Sequence, residues 1–368
     1  YLSQGTHVIT ARVVDSGGLE GSASVTVTVT ASVASHVVAE GRTLRLITVA
    51  GDKIVELDSA TIAGELVSPY LTVHGVAAHP TRPWLYTASM VGEWGHGQID
   101  RFIIAGDTIT YDGTAFSYPL SDVGVSCVVR LLDECAPIGM AFSSEGARFY
   151  VQDDVYARVH VFSVDAKGDL TFITEGGYTY GHGLSIDPTD RYLYNGSNVM
   201  EVTNDQPTSV HDGDGGNSTT FIEIGARPAL ISTQDVDAVV IYDLTDPVAP
   251  TVLASLGVGS YEARDLAMTT GGDRIFTAGR NNVHVLAFDG AAITAESTYT
   301  LDEEYVTEYN SVALTADGER VLTAWFSTWD LAPAPGGLQL FAANNDGSLT
   351  PLDSAEYDWP SRVVFALH

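Results

Sequence analysis

Basic residues are scarce in this sequence. Of its 368 residues, 17 are lysine or arginine and 47 are aspartate or glutamate, which gives a formal net charge of −30 at pH 7. Lys53 and Lys167 are the only lysines. A surface of this sign repels nucleic acid and anionic lipid, so we expect neither as a partner. The acidity fits a solvated shell that keeps the protein soluble, or carboxylate clusters that bind cations.

Long apolar stretches and catalytic motifs are also lacking. No run of about 18 apolar residues occurs, so the sequence predicts no membrane span in this segment. No nucleophile elbow, phosphate-binding loop or pair of catalytic carboxylates stands out, so no catalytic residue is assigned. The chain begins at Tyr1 without methionine or a signal peptide, which favours a mature or excised fragment.

Cysteine occurs only twice, at Cys127 and Cys135 in SCVVRLLDEC. The two residues enclose a loop short enough to close as a disulfide, and the alternative is two buried free thiols. A disulfide would place the protein outside the cytoplasm. The spacing matches no zinc motif, because no second cysteine or histidine pair lies at ligand distance.

A repeated hairpin pattern dominates what is present. In GHGLSIDPTDRYLYNGS, residues 181–197, two apolar strands flank a turn in which proline fixes φ and aspartate bonds its own backbone. The same frame returns four times, as VHGVAAHPTRPWLYTAS from Val73, PIGMAFSSEGARFYVQD from Pro137, ARDLAMTTGGDRIFTAG from Ala263 and YNSVALTADGERVLTAW from Tyr309. A period of about 40 to 50 residues made of strands indicates an all-β protein, a β-propeller with four strands to a blade.

The two ends of the repeat region each lack part of a blade. Leu44–Val49, Lys53–Asp58 and Ile62–Val67 are strands without an innermost partner, and SRVVFALH at the C-terminus is an opening strand with nothing after it. Joined, they would make one blade and close the ring without exposed edges. The sequence thus predicts seven blades over residues 36–368, with Val363–Leu367 beside Leu44–Val49.

Residues 1–35 lie outside the repeat. GTHVITARVVDSGGLEGSASVTVTVTAS has two alternating strands, His7–Asp15 and Ser24–Thr30, around a glycine-rich turn. The pattern resembles the last hairpin of a bacterial cell-surface immunoglobulin-like module of the PKD or cadherin kind. Such modules are usually stalks, so the resemblance implies a surface location.

Residues 198–256 are the least regular part. Val239–Leu256, VVIYDLTDPVAPTVLASL, resembles the LVIVD repeat, a propeller unit of bacterial surface proteins. Ala226–Ser232 is expected to be the strand before it. Either one strand of this blade is missing, or Thr219–Ile224 supplies it.

Residues 71–368 as a whole resemble the lactonase-type seven-bladed propellers, the group that includes 6-phosphogluconolactonase and the carboxymuconate cyclase. The family frame P-H-x-x-x-x-x-P-D-G-R-x-L-Y-V is approximated by VHGVAAHPTRPWLYTA and GHGLSIDPTDRYLYNG. His74 and His182 fall on the histidine of the frame, although neither follows a proline. The resemblance implies the propeller fold and, more weakly, an enzyme that acts on a small lactone or sugar acid.

Residues that open the repeats are the candidate binding residues. The innermost strand of each blade begins at the mouth of the central channel, so these residues converge there. The set is His74, His182, Arg264, Asn310 and Arg362, with Arg227 as a further candidate. Imidazoles and guanidiniums would form a positive pocket for a carboxylate or sugar acid. Alternatively, these side chains only hydrogen-bond neighbouring blades and channel waters.

Two other sites are suggested. Asp212, Asp214 and Asn217 in HDGDGGNS offer oxygen ligands on a flexible loop, as Ca²⁺ prefers, although such runs are often plain turns. The loops 90–98 and 326–337 carry Trp94 and Trp329, and Trp325 precedes the second; these could stack on sugar rings or pack between blades. No cofactor is required by any of these features.

Two classes of function follow. The first is a secreted or cell-surface binding or adhesion module whose partner is a small anion, a carbohydrate or another surface protein. The second is a lactone hydrolase or cycloisomerase that works in the channel.

Overall fold

The computed structural model describes residues 5–14, 17–18, 20–29, 35–63, 73–91, 96–118, 137–153, 157–177, 183–234, 237–259, 263–300, 307–327, 336–357 and 361–366. Every regular element in these ranges is a β-strand. The strands form one separate hairpin and seven four-stranded antiparallel sheets, the blades of a β-propeller. The all-β, seven-bladed fold predicted from the repeat is therefore confirmed.

The hairpin consists of β1 (Gly5–Val14) and β2 (Glu20–Val29), which pair only with each other. Blade 1 contains strands from both ends of the chain. They are β3 (Ser35–Glu40), β4 (Thr43–Ala50), β5 (Lys53–Thr61) and the last strand, β30 (Ser361–Ala366).

The other six blades each use four consecutive strands. Blade 2 comprises β6 (Val73–Ala78), β7 (Trp84–Val91), β8 (His96–Ala105) and β9 (Thr108–Ser117). Blade 3 comprises β10 (Pro137–Phe142), β11 (Arg148–Asp153), β12 (Arg158–Val164) and β13 (Leu170–Gly176). Blade 4 comprises β14 (Ser185–Ile186), β15 (Tyr192–Asn195), β16 (Asn198–Thr203) and β17 (Gln206–His211).

The last three blades follow the same order. Blade 5 comprises β18 (Gly216–Ile224), β19 (Arg227–Gln234), β20 (Ala238–Asp243) and β21 (Thr251–Gly257). Blade 6 comprises β22 (Asp265–Met268), β23 (Arg274–Ala278), β24 (Asn282–Phe288) and β25 (Ile293–Thr300). Blade 7 comprises β26 (Thr307–Leu314), β27 (Arg320–Ser327), β28 (Gly336–Ala343) and β29 (Leu349–Tyr357).

Pairing of the two chain ends closes the ring, as predicted, but one strand further along than expected. β30 pairs with β3, where Val37 lies opposite Phe365, and β4 is the next strand outward. The prediction that Leu44–Val49 lies beside the C-terminal strand is therefore wrong by one strand. Ile62, which was predicted to start the outermost strand, follows that strand instead. The cause is that residues 36–40 are buried on both faces, so they lack the polar–apolar alternation that marks a strand.

The irregular region resolves into complete blades. β18 spans residues 216–224, so the alternative in which Thr219–Ile224 supplies the missing strand is correct. Thr233 and Gln234 end β19 and pair with Val239 and Ala238 of β20, so these two strands form a hairpin with a short connection. Residues 198–211 form the outer hairpin of blade 4.

The turn chemistry behaves as the sequence indicates. Asp187 accepts the backbone amides of Arg191 (2.8 Å) and Tyr192 (2.7 Å), which fixes the turn between β14 and β15. Asp190 adopts a left-handed φ of 59° there, where the matching turns of blades 3 and 6 use Gly146 (71°) and Gly272 (72°). Aspartate tolerates this conformation better than most residues.

Arginines fasten the blades at the end of the ring where the first and second strands connect. Arg320 of blade 7 pairs with Asp52 of blade 1 at 2.8 Å, and Arg148 of blade 3 pairs with Asp205 of blade 4 at 2.6 Å. Arg274 of blade 6 donates to two backbone carbonyls of blade 7. In blades 3, 6 and 7 the arginine of the repeat frame therefore links neighbouring blades, whereas Arg191 of blade 4 pairs with Glu201 of its own blade.

No helix in the described ranges is long and apolar enough to cross a membrane.

Candidate functional site at the channel mouth

The innermost strands of the seven blades touch one another in a closed circle. Their order is β6, β10, β14, β18, β22, β26 and β30, and β30 contacts β6 again. Six of these strands lead outward through a turn at their far end, and β30 lies antiparallel to β3 in the same way, so all seven begin at the same end of the ring. We call the end where they begin the channel mouth, and the other the turn end.

Four of the five predicted binding residues lie in or directly before these strands. Arg264 directly precedes β22, is half-buried, and its amide donates to the carbonyl of Ala278 at 2.8 Å. His74, Asn310 and Arg362 belong to β6, β26 and β30, but their side chains lie outside the described part of the structure, as does all of His182. The meeting of the five side chains therefore stays a prediction.

Arg227 does not belong to this set. Arg227 begins β19, the second strand of blade 5, at the turn end, where it pairs with Asp243 at 3.4 Å. It became a candidate because the strand that it begins was taken as the one that opens the blade, whereas β18 opens it. The residue that opens the innermost strand of blade 5 at the channel mouth is Asn217 instead. The sequence had suggested Asn217 only as a calcium ligand.

Buried polar groups join blades 3, 4 and 5 at this end. Asn195 is fully buried, and its Nδ2 donates to the carbonyls of Gly183 and Gly216 and to Gln152 Oε1. A Cβ at Gly216 would lie 2.0 Å from the hydroxyl of Ser232, so only glycine permits this approach. The sequence offered one signal for this site, the Asn-Gly pair at residues 195–196, which favours a tight turn.

Asp265 continues these contacts into blades 6 and 7. Its Oδ2 accepts the hydroxyl of Ser311 (2.7 Å) and the amide of Val312 (3.0 Å), and its Oδ1 accepts the amide of Leu266 (2.9 Å). One carboxyl group thus connects the innermost strands of blades 6 and 7.

Desolvation dominates the titration of Asp265. The side chain is half-buried, and desolvation by the surrounding protein is the largest influence on its pKa and raises it. The hydrogen bonds from Ser311 and Val312 act in the opposite direction.

The raised pKa predicts how stability depends on pH. The folded protein holds the Asp265 proton more tightly than the unfolded chain, whose carboxyl titrates near 3.8. The contribution of Asp265 to the free energy of unfolding is therefore full below that pH and falls as pH rises through the folded pKa. We expect the stability difference between wild type and Asp265→Asn to shrink, or change sign, from acid towards neutral pH.

Urea unfolding of both proteins at several pH values measures this difference and cancels the shared titration of the other carboxylates. A difference that stays constant or grows with pH would contradict the expectation.

The predicted calcium loop is held largely by its own neighbours. The amide of Asp214 donates to Ser197 Oγ at 2.8 Å, its carboxylate accepts Gln234 Nε2, and the amide of Gly213 donates to Asn198 Oδ1. Asp212 and Asp214 are exposed. Among described residues no group of three or more histidine, cysteine, aspartate or glutamate side chains is placed to hold a metal. Calcium binding here stays a prediction.

The remaining candidates are only partly described. Trp325 is half-buried and packs against the core between blades 6 and 7, and a Cβ at Gly337 would lie 3.0 Å from its ring. This contact fits the packing alternative for Trp325. Trp94, Trp329, Cys127 and Cys135 lie outside the described residues.

Comparison with known proteins supports the fold and not an activity. No protein-family model matches the sequence, and no curated protein matches it. Among solved structures, a putative 6-phosphogluconolactonase from Bacteroides fragilis is similar with a TM-score of 0.67 and 12% identity, over 93% of this chain and 100% of that one. The periplasmic gluconolactonase of Pseudomonas aeruginosa is similar with a TM-score of 0.66 and 14% identity, over 91% and 99%. A putative 6-phosphogluconolactonase from Bacteroides uniformis gives 0.61 and 12%, over 91% and 99%.

These neighbours confirm the expected likeness to 6-phosphogluconolactonase-like seven-bladed propellers. At such low identity they establish the fold alone.

Proposed function

We propose that this chain is a secreted or cell-surface binding propeller whose ligand, a small anionic molecule such as a sugar acid, lies at the channel mouth. One observation carries the proposal: the innermost strands form a closed circle that begins at one end, with Arg264 half-buried at the start of β22. Guanidinium groups bind carboxylates with two parallel hydrogen bonds. A local positive site in a chain of net charge −30 favours an anion over other ligands.

At the turn end, five arginines pair with protein carboxylates: Arg148 with Asp205, Arg191 with Glu201, Arg227 with Asp243, Arg274 with Glu296 and Arg320 with Asp52. These pairs serve the fold, so the turn end offers few guanidinium groups to an anion.

The surface location rests on the N-terminal segment and on composition. The sequence of residues 1–35 resembles the end of an immunoglobulin-like stalk module and that of Val239–Leu256 resembles the LVIVD repeat, and the structure has a two-stranded hairpin in the first segment and two paired strands in the second. A strongly acidic surface suits a protein exposed outside the cell. The proposed disulfide between Cys127 and Cys135 would agree with the same location.

Replacing His74 and His182 together by alanine is expected to leave folding intact and weaken binding of gluconate at least tenfold, because two imidazoles at the mouth are removed. Isothermal titration calorimetry on the full chain measures this. His284→Ala is the matched control, since His284 lies on the third strand of blade 6, away from the channel, and its imidazole bonds Thr298 on the fourth strand. Unchanged gluconate affinity in the double variant would refute the channel site.

A second candidate is a lactone hydrolase or cycloisomerase, which the names of the similar structures favour. In that case a channel-mouth histidine would act as general base towards water, and Arg264 would stabilise the developing oxyanion. Release of acid from glucono-δ-lactone above the spontaneous rate, lost in the His74/His182 variant, would select this candidate.

A further inference from the structure

The outermost strand of each blade has one edge with which no other strand in the described ranges pairs. Backbone groups on such an edge can pair with another chain, and proteins commonly prevent this with charged residues or proline. Six of the seven outermost strands carry such a residue: Glu56 in β5, Asp112 in β9, Glu175 in β13, Pro207 in β17, Glu296 in β25 and Asp353 in β29. β21 of blade 5, TVLASLG, carries neither a charge nor a proline.

A β-bulge does not supply the missing protection. The register of β20 against β21 shifts between Ile241 and Tyr242. The third and fourth strands of all seven blades show a register shift of this kind. The bulge therefore belongs to the general build of the blades and does not set blade 5 apart.

β21 is held firmly by the protein and is open to solvent at the same time. Ala254 is buried, and Leu256 packs against the core between blades 5 and 6. Val252 is 61% exposed, and Ser255 and Gly257 are exposed as well. A Cβ added at Gly257 would meet no atom within 4 Å, so there is free space beside the strand.

Exposed carboxylates lie at both ends of this uncharged strand. Asp246 is in the connection that leads into β21, and the carbonyl of Asp237 accepts the amide of Val258 at 2.8 Å, directly after the strand. The seven residues of β21 span about 24 Å at the usual rise of a strand. An extended segment with a basic residue at each end would complement this arrangement of charge.

A second copy of the chain would fit this edge less well. Each copy has a formal net charge of −30, so two copies repel each other. Pairing along seven residues is also small beside the roughly 800 Å² that each partner buries in a stable interface. A short segment of another protein needs only an edge of this length, because main-chain hydrogen bonds supply the affinity and alternate side chains supply the specificity.

We propose that the outer edge of β21 binds an extended segment of a partner protein by strand addition. The segment has alternating β-branched residues, which suit a pleated edge, and a lysine or arginine at each end. The site lies on the outermost strand of blade 5, away from the channel mouth. It goes beyond the proposed function, because the mouth takes a small anion and this edge takes another protein.

The first test is calorimetric titration of the full chain with the peptide KTVTVTVTK, acetylated and amidated so that only the lysines are charged. We expect binding, together with slower backbone hydrogen exchange in residues 251–257. The peptide ETVTVTVTE should bind at least about tenfold more weakly, because its ends are repelled by the carboxylates. The peptide KTVTPTVTK has the same charge as the first but should not bind, because proline lacks an amide donor and interrupts a strand.

The second test moves the change to the protein. Ser255→Lys is expected to weaken binding of KTVTVTVTK by about tenfold, because a lysine on the edge repels the peptide and protects the strand. Ser255→Thr should bind as wild type does. Ala295→Lys is the matched control, since Ala295 is exposed on the outermost strand of the next blade and the change in net charge is the same. The melting temperatures of all three variants should stay within a few degrees of wild type.

The outcomes are distinct. No binding of KTVTVTVTK by wild type, equal affinity for KTVTPTVTK, or equal weakening by Ser255→Lys and Ala295→Lys would overturn the strand-addition site. A dimer in sedimentation equilibrium that Ser255→Lys dissociates would assign the edge to a second copy and would overturn it too. Gluconate binding should be the same in Ser255→Lys as in wild type, so failure of this site leaves the proposed function standing.

Discussion

Deletion of residues 361–368 is expected to abolish the cooperative thermal transition. These residues supply β30, the innermost strand of blade 1, which pairs with β3 and contacts the innermost strands of blades 2 and 7. Without it, β3 becomes an open edge and the circle of innermost strands is broken. The loss should be a large part of the about 5–15 kcal/mol that stabilises a typical domain. Differential scanning calorimetry measures it.

Two comparisons make this prediction specific to ring closure. A synthetic peptide of residues 358–368 added in trans should restore part of the transition, since it can reoccupy the same edge. Deletion of residues 1–30, which removes the separate β1–β2 hairpin, should leave the propeller transition nearly unchanged. A C-terminal deletion that melts like wild type would mean that blade 1 is stable with three strands.

Phe149→Ala is expected to destabilise the protein by about 3–5 kcal/mol, as for other large-to-small changes in a packed core. Phe149 is fully buried between blades 2 and 3, stacks on Phe142 at a centroid distance of 4.3 Å, and lies 5.4 Å from the ring of Tyr86. Truncation leaves a cavity that these aromatic rings cannot fill. Urea unfolding measures the change in the free energy of unfolding.

Phe149→Leu keeps most of the volume and should cost far less than the alanine variant. Val252→Ala is the surface control, because Val252 is 61% exposed and should change stability by less than about 0.5 kcal/mol. Equal small losses for Phe149→Ala and Val252→Ala would contradict the view that stability resides in the contacts between blades.

Turns were predictable from the sequence because they depend on a few adjacent residues, whereas two strand positions were not. The turns were predictable at Asp187 and Gly272 because their chemistry is local, and the regular return of these turns predicted the blade number. The strand β3 was missed because His36 and Val37 are both buried, so its sequence shows no alternation. The first strand of blade 5 was left open between two alternatives because HDGDGGNS resembled an inserted loop, whereas Gly216 already begins β18.

The candidate site was only partly predictable for a different reason. Arg264 was found because it opens a recognisable repeat. Asp265 was not, because its carboxyl group is held by Ser311, which lies 46 residues away in the chain. Asn217 was noticed for its loop composition and assigned to calcium, since nothing local shows that β18 begins at Gly216.

The amino-acid sequence by itself determined that this protein is a closed ring of seven small sheets, because turn residues and strand propensities act over a few residues and their period counts the blades. Only the tertiary structure decided which strand of blade 1 receives the C-terminus and which polar groups share the channel mouth. Both depend on contacts between segments tens to hundreds of residues apart, and ring closure brings those segments together.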